Sequence, residues 1–367
     1  MRNARIPITP PMILFLLTMS LTAIGVTAVY SASSSTFHLT RQILFAGLGV
    51  MTLGVFYNLD YHVLRKLAIP GLLLALGLCI GVFAGDEIRG ARRWIQVGRL
   101  RVQPSELAKL ALIIYMARML TERRAYIRSF LLCVLPAMLV TGLFAVLIVL
   151  EPDYSAAFVL CAIIFGMWLA AEMSWWHLSG LVMVSLPAGI IFFLSEPYRW
   201  RRLLAFIRIL LGLEDRQLLQ GWGYHLHQSL ISIGSGGLWG RGLGESHQKF
   251  KFLSEAHTDF IFSIICEETG FIAGTLVIVL FAGITFLGWR VAMEATDNFG
   301  CLLATGITLM FFVSAAINLS VTLGLLPTTG LVLPFISAGG SAMIVSMAAM
   351  GILMNIARKQ YEQRIPG

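Results

Sequence analysis

Residues 257–287 read HTDFIFSIICEETGFIAGTLVIVLFAGITFL. From Phe260 onward the only charged side chains are Glu267 and Glu268. The apolar run exceeds the roughly 20 residues that an α-helix needs to cross about 30 Å of hydrocarbon. It therefore predicts a membrane-spanning helix over 258–287, long enough that part of it tilts or projects into the interface. Its polar head places the carboxylate of Asp259 at the lip of the membrane, beside a helix amino terminus.

Comparable apolar runs stand near 12–31, 40–57, 67–84, 104–120, 130–150, 154–171, 177–195, 299–323 and 339–357, which makes ten predicted spans. With 57% hydrophobic and 13% charged residues among 367, a soluble domain would expose large apolar patches. The expected fold is all-α, a polytopic membrane helical bundle in a single domain over 1–367. The first run ends in Ser31-Ala32-Ser33, but it is too long for a removable signal core and reads as an uncleaved helix. Five cysteines, with no CxxC spacing, predict neither a disulfide nor a zinc site. The net charge of +8 points to anionic partners, either lipid headgroups or a phosphorylated ligand. Nucleic acid is not expected, because no compact basic domain stands outside the membrane.

With the amino terminus in the cytoplasm, the inner loops and tails hold twelve Lys and Arg against six in the short outer loops. The positive-inside rule then places both termini in the cytoplasm. Two outer segments stand out, the loop from Gly85 to about Gln103 and the stretch of about 196–257. The first carries five arginines, including Arg92 and Arg93, in a place where arginine is usually scarce. They fit contact with anionic lipid, or an anionic ligand bound by the bidentate hydrogen bonds that arginine makes to phosphate.

The second segment contains six glycines between Gly234 and Gly244 but no GxxxxGK[ST], which excludes a nucleotide loop. Glycine there suits tight turns beside the bilayer or close approach to a sugar or diphosphate. Its histidines, among them His257, match no standard zinc spacing. Thr258 or Asp259 could cap the following helix, or Asp259 could act as a base in a partly dehydrated cleft. Glu106 and Lys109 sit three apart at the head of the fourth helix, either as an internal ion pair or with Lys109 facing a ligand diphosphate. At least one of Glu267 and Glu268 must face the bundle interior, because lipid would not tolerate both. The interruptions at 325–330 and 334–341, the latter including Ser337, predict a re-entrant wall opposite Asp259.

Taken together, several ordered motifs resemble the SEDS family (shape, elongation, division and sporulation), which includes FtsW and RodA. They are Val29–Ser33, Gly90-Ala91-Arg92-Arg93-Trp94-Ile95, Gln103-Pro104-Ser105-Glu106, Glu151-Pro152-Asp153, His257-Thr258-Asp259-Phe260, and the stretch from Pro327 to Ser341. Residues 244–249, with Gln248 and Lys249, are more similar to the FtsW and sporulation branch. The chain departs from the family pattern at Ser254, at Glu151, where glutamine is usual, and at Ala338, where an aromatic often sits.

The resemblance implies a peptidoglycan glycosyltransferase that polymerises lipid II at the outer face of the cytoplasmic membrane. It implies Asp259 as general base, with Lys109, Glu106, Arg92, Arg93, Trp94, His257, Lys249, Gln248 and Ser337 as substrate-binding candidates. Trp94 would stack on a sugar or anchor its loop at the interface. Arginine, Lys109 or a divalent cation (Mg or Mn) would neutralise the leaving diphosphate. A class B penicillin-binding protein transpeptidase and other divisome or elongasome membrane proteins are the implied partners. A lipid II flippase and a non-catalytic division scaffold are the competing readings, because a polar cavity in a helical bundle also suits translocation.

Overall fold

The computed structural model describes residues 9–33, 36–85, 92–98, 100–180, 197–213, 221–246 and 257–364, together with Met183, Gly189 and Leu218. The chain runs through α1 (Pro10–Ser33), α2 (Thr36–Asn58), α3 (Tyr61–Gly81), α4 (Pro104–Glu122), α5 (Leu135–Leu150) and α6 (Tyr154–Ala170). It continues through α7 (Pro197–Leu210), α8 (Tyr224–Gly236), α9 (Ile261–Met293), α10 (Asn298–Thr322) and α11 (Gly340–Arg364). Among the described residues, seven helices are long and apolar enough to cross a bilayer: α1, α2, α3 with its extension to Ala84, α5 with its lead-in from Phe130, α9, α10 and α11. The chain is an integral membrane protein built on this helical bundle.

The sequence predicted ten spans, and three of the ten fall outside the seven. At their places α6 is only 17 residues long, and α4 carries Glu106, Lys109, Arg118 and Glu122. The predicted span at 177–195 lies largely outside the described residues, although residues 175–180 are helical.

Helix ends follow local chemistry. Asp60, Asp153 and Asp297 cap α3, α6 and α10 by accepting the backbone N–H of His62, Ala156 and Gly300. Pro104 occupies the first turn of α4, where its missing N–H costs no intrahelical bond. In the core, α10 and α11 are the most enclosed helices, whereas α2 and α3 show most of their apolar side chains outward. Phe144, Phe262, Phe299, Phe311 and Phe335 are the largest fully buried side chains. Phe311 of α10 packs on Phe335 of the irregular 327–339 segment, with ring centroids 5.0 Å apart. That non-helical backbone is thus enclosed by protein, the condition under which such backbone survives at membrane depth.

Two features were not legible from apolar periodicity. Within the arginine-rich loop, β1 (Ile95–Val97) and β2 (Leu100–Val102) pair antiparallel, with Gln96 opposite Arg101, which adds a small hairpin to the expected all-α fold. The second is a break in α9 at Gly270, where φ is +77°. Its 33 residues would span about 50 Å if straight, at about 1.5 Å per residue. Instead the first piece, from Ile261 to Glu268, is buried throughout.

Candidate functional site

Trp94 and Arg101, Arg202, and the His257–Asp259 turn all meet the 327–340 stretch at one end of the bundle. Asp259 is held there through its backbone: Asn318 Nδ2 of α10 donates to Asp259 O at 3.0 Å and to Leu331 O at 2.6 Å. The neighbouring carbonyls are tied in the same way, with Ser337 Oγ donating to Thr258 O at 2.6 Å and Ala338 N donating to His257 O at 3.0 Å. The 327–339 segment therefore does form a wall against the His257–Asp259 turn. A β-carbon at Gly330 would stand 3.6 Å from Asp259 Oδ2, so this wall passes directly beside the carboxylate. Asp259 itself is half-buried, and Phe260, not Thr258 or Asp259, occupies the N-cap of α9, with no side-chain capping bond.

Beside this turn lies a cavity of about 300 Å³, lined by His38, Arg41, Gln42 and Phe45 of α2, Trp94 and Arg101 of the hairpin loop, His257, and Ala338–Gly340. The rings of His38 and His257 lie 5.1 Å apart. Arg41 also sits over the Phe45 ring, 5.6 Å from its centroid. Among the described residues, no carboxylate lies within ion-pair distance of Arg41 or Arg101. Two guanidinium groups in a cavity at the head of a membrane bundle make it a natural receptor for a phosphate-bearing group.

The sequence candidates fall into three groups. His257 and Trp94 line the cavity. Five others are engaged within the protein. Arg92 donates to Phe83 O at 3.1 Å, and Arg93 donates from Nε to Glu151 O at 3.1 Å and from its terminal nitrogen to Pro152 O. Arg93 thereby clips its loop onto the α5–α6 turn. Lys109 and Glu106 form a buried ion pair at 2.8 Å, and Ser337, also buried, accepts the N–H of Leu333 at 2.8 Å while it bonds Thr258 O. Gln248 and Lys249 lie outside the described residues.

Sequence reasoning missed His38, Arg41 and Gln42 as cavity residues, and it held Arg101 only as one of five loop arginines for lipid or an anionic ligand. A signal existed: 38, 41, 42 and 45 follow the i, i+3, i+4, i+7 spacing of one helix face, at the entrance of an apolar run.

Near the same end, the α5–α6 turn holds two buried carboxyls. Glu151 is fully buried, with neither carboxyl oxygen hydrogen-bonded, and Asp153 accepts from Gln103 Nε2 at 2.9 Å. Burial pushes the Glu151 carboxyl up to about 8, with the nearby Asp153 charge adding and Arg93 opposing. Burial also raises Asp153, against the pull of Arg93. Among the described residues, no three His, Cys, Asp or Glu side chains converge as a metal site.

Bundle and site define a polytopic membrane protein with a cationic chamber at one end, walled by a re-entrant segment and an aspartate-bearing turn. The chain belongs to the FtsW, RodA and SpoVE family, described as "Cell cycle protein", whose model matches residues 8–362. It is 38% identical to the probable peptidoglycan glycosyltransferase FtsW of Geobacter sp. (strain M18) over 95% of this chain and 96% of that protein. It is also 38% identical to stage V sporulation protein E of Bacillus subtilis (strain 168), over 95% and 97%. Among solved structures, one described as the structural coordination of polymerization and crosslinking by a peptidoglycan synthase complex matches with a TM-score of 0.79 at 29% identity, covering 95% of this chain and 98% of that one. The rod shape determining protein RodA of Thermus thermophilus matches with a TM-score of 0.68 at 29% identity, covering 95% and 96%.

Proposed function

We propose that this chain is a peptidoglycan glycosyltransferase that polymerises lipid II at the outer face of the cytoplasmic membrane, with both termini inside. The observation that carries the reading is the juxtaposition of the Asp259 turn with the cavity holding Arg41, Arg101, His38, His257 and Trp94. Lipid II presents a diphosphate between an apolar tail and a sugar, and this chamber offers positive charge at the head of an apolar bundle. Asp259, as general base, takes the proton of the acceptor 4-hydroxyl as that oxygen bonds to the anomeric carbon of the donor. The bond from that carbon to the undecaprenyl diphosphate oxygen breaks with inversion, and the departing charge is met by Arg41 and Arg101. Trp94 offers an aromatic face to a sugar.

Among the described residues, no three His, Cys, Asp or Glu side chains form a protein-built cage for a divalent cation. Lys109 and Glu106 are buried and paired with each other at the head of α4, and neither lines this chamber. Resemblance to a synthase complex supports a class B penicillin-binding protein as partner, together with other division or elongation membrane proteins. The test incubates the purified chain with lipid II, with and without the transpeptidase and with divalent ions chelated, for wild type and for Arg41→Ala/Arg101→Ala. Glycan chains from the wild type and a rate about 10- to 100-fold lower from the double variant are expected. Absence of chains under every condition would end the polymerase reading.

A further inference from the structure

The break in α9 at Gly270 lies about three helical turns beyond Asp259, and the glycine-rich segment is docked into it. A helix break frees carbonyls on one side and amides on the other. Here Glu267 O and Glu268 O accept from Arg241 N at 3.0 Å and Gly242 N at 2.9 Å, while Phe271 N and Ile272 N donate to Gly237 O at 2.9 Å and Leu238 O at 3.4 Å. The approach is so close that a β-carbon at Gly240 would stand 2.2 Å from Glu268 O, and one at Gly270 would stand 2.4 Å from Gly240 N. Both glycines also carry positive φ, so no other residue fits either side of the joint.

Backbone alone thus satisfies the break, yet a carboxylate is buried at its centre. Glu267 is 1% exposed, and its Oε2 lies 2.6 Å from the hydroxyl of Ser246 and 2.9 Å from that of Ser232 in α8. Ser229 of α8 adds a 2.6 Å hydrogen bond to Ser263, one turn nearer Asp259. Burying a carboxylate is costly, and apolar packing would hold two helices together as well or better. What apolar packing cannot do is fix the hydroxyl of one residue in a flanking segment. Ser246 is that residue: it ends the described part of the glycine-rich segment docked into the break, and its hydroxyl ties that segment to α9.

We propose that Glu267 is a positioning residue for Asp259, clasping Ser246 and Ser232 at the α9 break so that the buried helical piece from Ile261 to Glu268, whose head carries the Asp259 turn, is fixed against α8. From the other side the turn is fixed by Asn318, Ser337 and Ala338. Glu267 and Ser246 touch no substrate in this arrangement; they set where the base stands. The inference rests on the polymerase reading for its kinetic consequence, but not for the clasp itself.

The experiment uses the full-length chain with Glu267→Gln, Ser246→Ala and Ser246→Thr, and it measures lipid II polymerisation, melting temperature and hydrogen–deuterium exchange over 236–246. Misplacement of a catalytic group by about 1 Å can lower a rate about 100-fold, so Glu267→Gln is expected to lower kcat about tenfold or more with KM within about twofold. Ser246→Ala lowers kcat several-fold and speeds exchange over 236–246, and Ser246→Thr, which keeps the hydroxyl, restores both. Should Glu267→Gln fail to fold, the two Ser246 variants carry the test. Wild-type kcat together with unchanged exchange in Ser246→Ala would overturn the proposal, as would a loss that appears in KM alone. If the wild type forms no chains, the polymerase reading falls, and the exchange measurement still decides whether the clasp exists.

Discussion

The two ends of the bundle handle charge in opposite ways. Where α2 turns into α3 and α11 finishes, charges meet partners from the same chain: Lys359 with Asp60, Arg65 and Arg118 with Glu122, Arg290 with Glu294, and Arg358 with Glu362. At the other end, Arg41 and Arg101 face a cavity with no described carboxylate beside them, and Glu151 is buried without a hydrogen-bond partner. The acids respond accordingly. Burial would raise Asp60, but hydrogen bonds from Lys359 and His62 outweigh it and hold the carboxyl well below the usual range. Glu151, lacking such donors, moves up. Charges neutralised within the chain fix helix ends and topology; charges left facing a cavity are an invitation to a ligand of opposite sign.

The contrast can be broken at several points. Lys109→Ala removes one half of the buried pair and leaves Glu106 uncompensated, which is expected to cost about 3–5 kcal/mol of stability. Thermal unfolding in detergent measures it, and the double variant Glu106→Ala/Lys109→Ala should recover part of the loss.

Next in size is the arginine comparison. Arg41→Ala or Arg101→Ala alone should lower lipid II polymerisation about tenfold, chiefly through the departing diphosphate. Arg290→Ala, which breaks an exposed pair at the opposite end, should change stability by less than about 1 kcal/mol and leave the rate alone. Equal effects at the two ends would erase the distinction drawn between them.

The smallest expected effect is a pH dependence. An acid whose folded-state value is raised binds its proton more tightly in the native state, so the stability it contributes is lost as pH rises. For Glu151 the window runs from the ordinary value of 4.5 to about 8. Melting temperatures across that window should fall less steeply in Glu151→Gln than in the wild type, and the variant should be the more stable of the two at the alkaline end.

Much of this architecture could be read from residue order. The head of α9, the buried pair at 106 and 109 and the irregular wall at 327–339 each put polar residues or helix breakers into long apolar runs, where water cannot satisfy them. Both Glu267 and Glu268 are buried, which the same cost argument anticipated for at least one.

Other features depend on contacts distant in sequence. Strands of three residues leave too little alternation to detect, so the 95–102 hairpin was missed. Gly270 looks like any glycine in a membrane helix until Gly240 is brought against it. The five arginines of the first outer loop were read as one group. The fold divides the three that it describes, with Arg89 and Arg99 outside the described residues: Arg92 and Arg93 bind carbonyls, Arg101 turns into the cavity, and Arg41, from another helix, completes the charge.

The central claim is that the cationic end of the bundle performs chemistry on lipid II, with Asp259 as the base, rather than passing the lipid across the membrane. Its most direct test reconstitutes wild type and Asp259→Asn, with a transpeptidase partner, into proteoliposomes that receive lipid II from the outside, and follows chain length and lipid sidedness together. The account predicts glycan chains from the wild type and a rate lower by about 10²–10⁴-fold in Asp259→Asn, at an unchanged melting temperature. Chains made at the wild-type rate by Asp259→Asn, or lipid II crossing the bilayer with no chains formed by either protein, would contradict it.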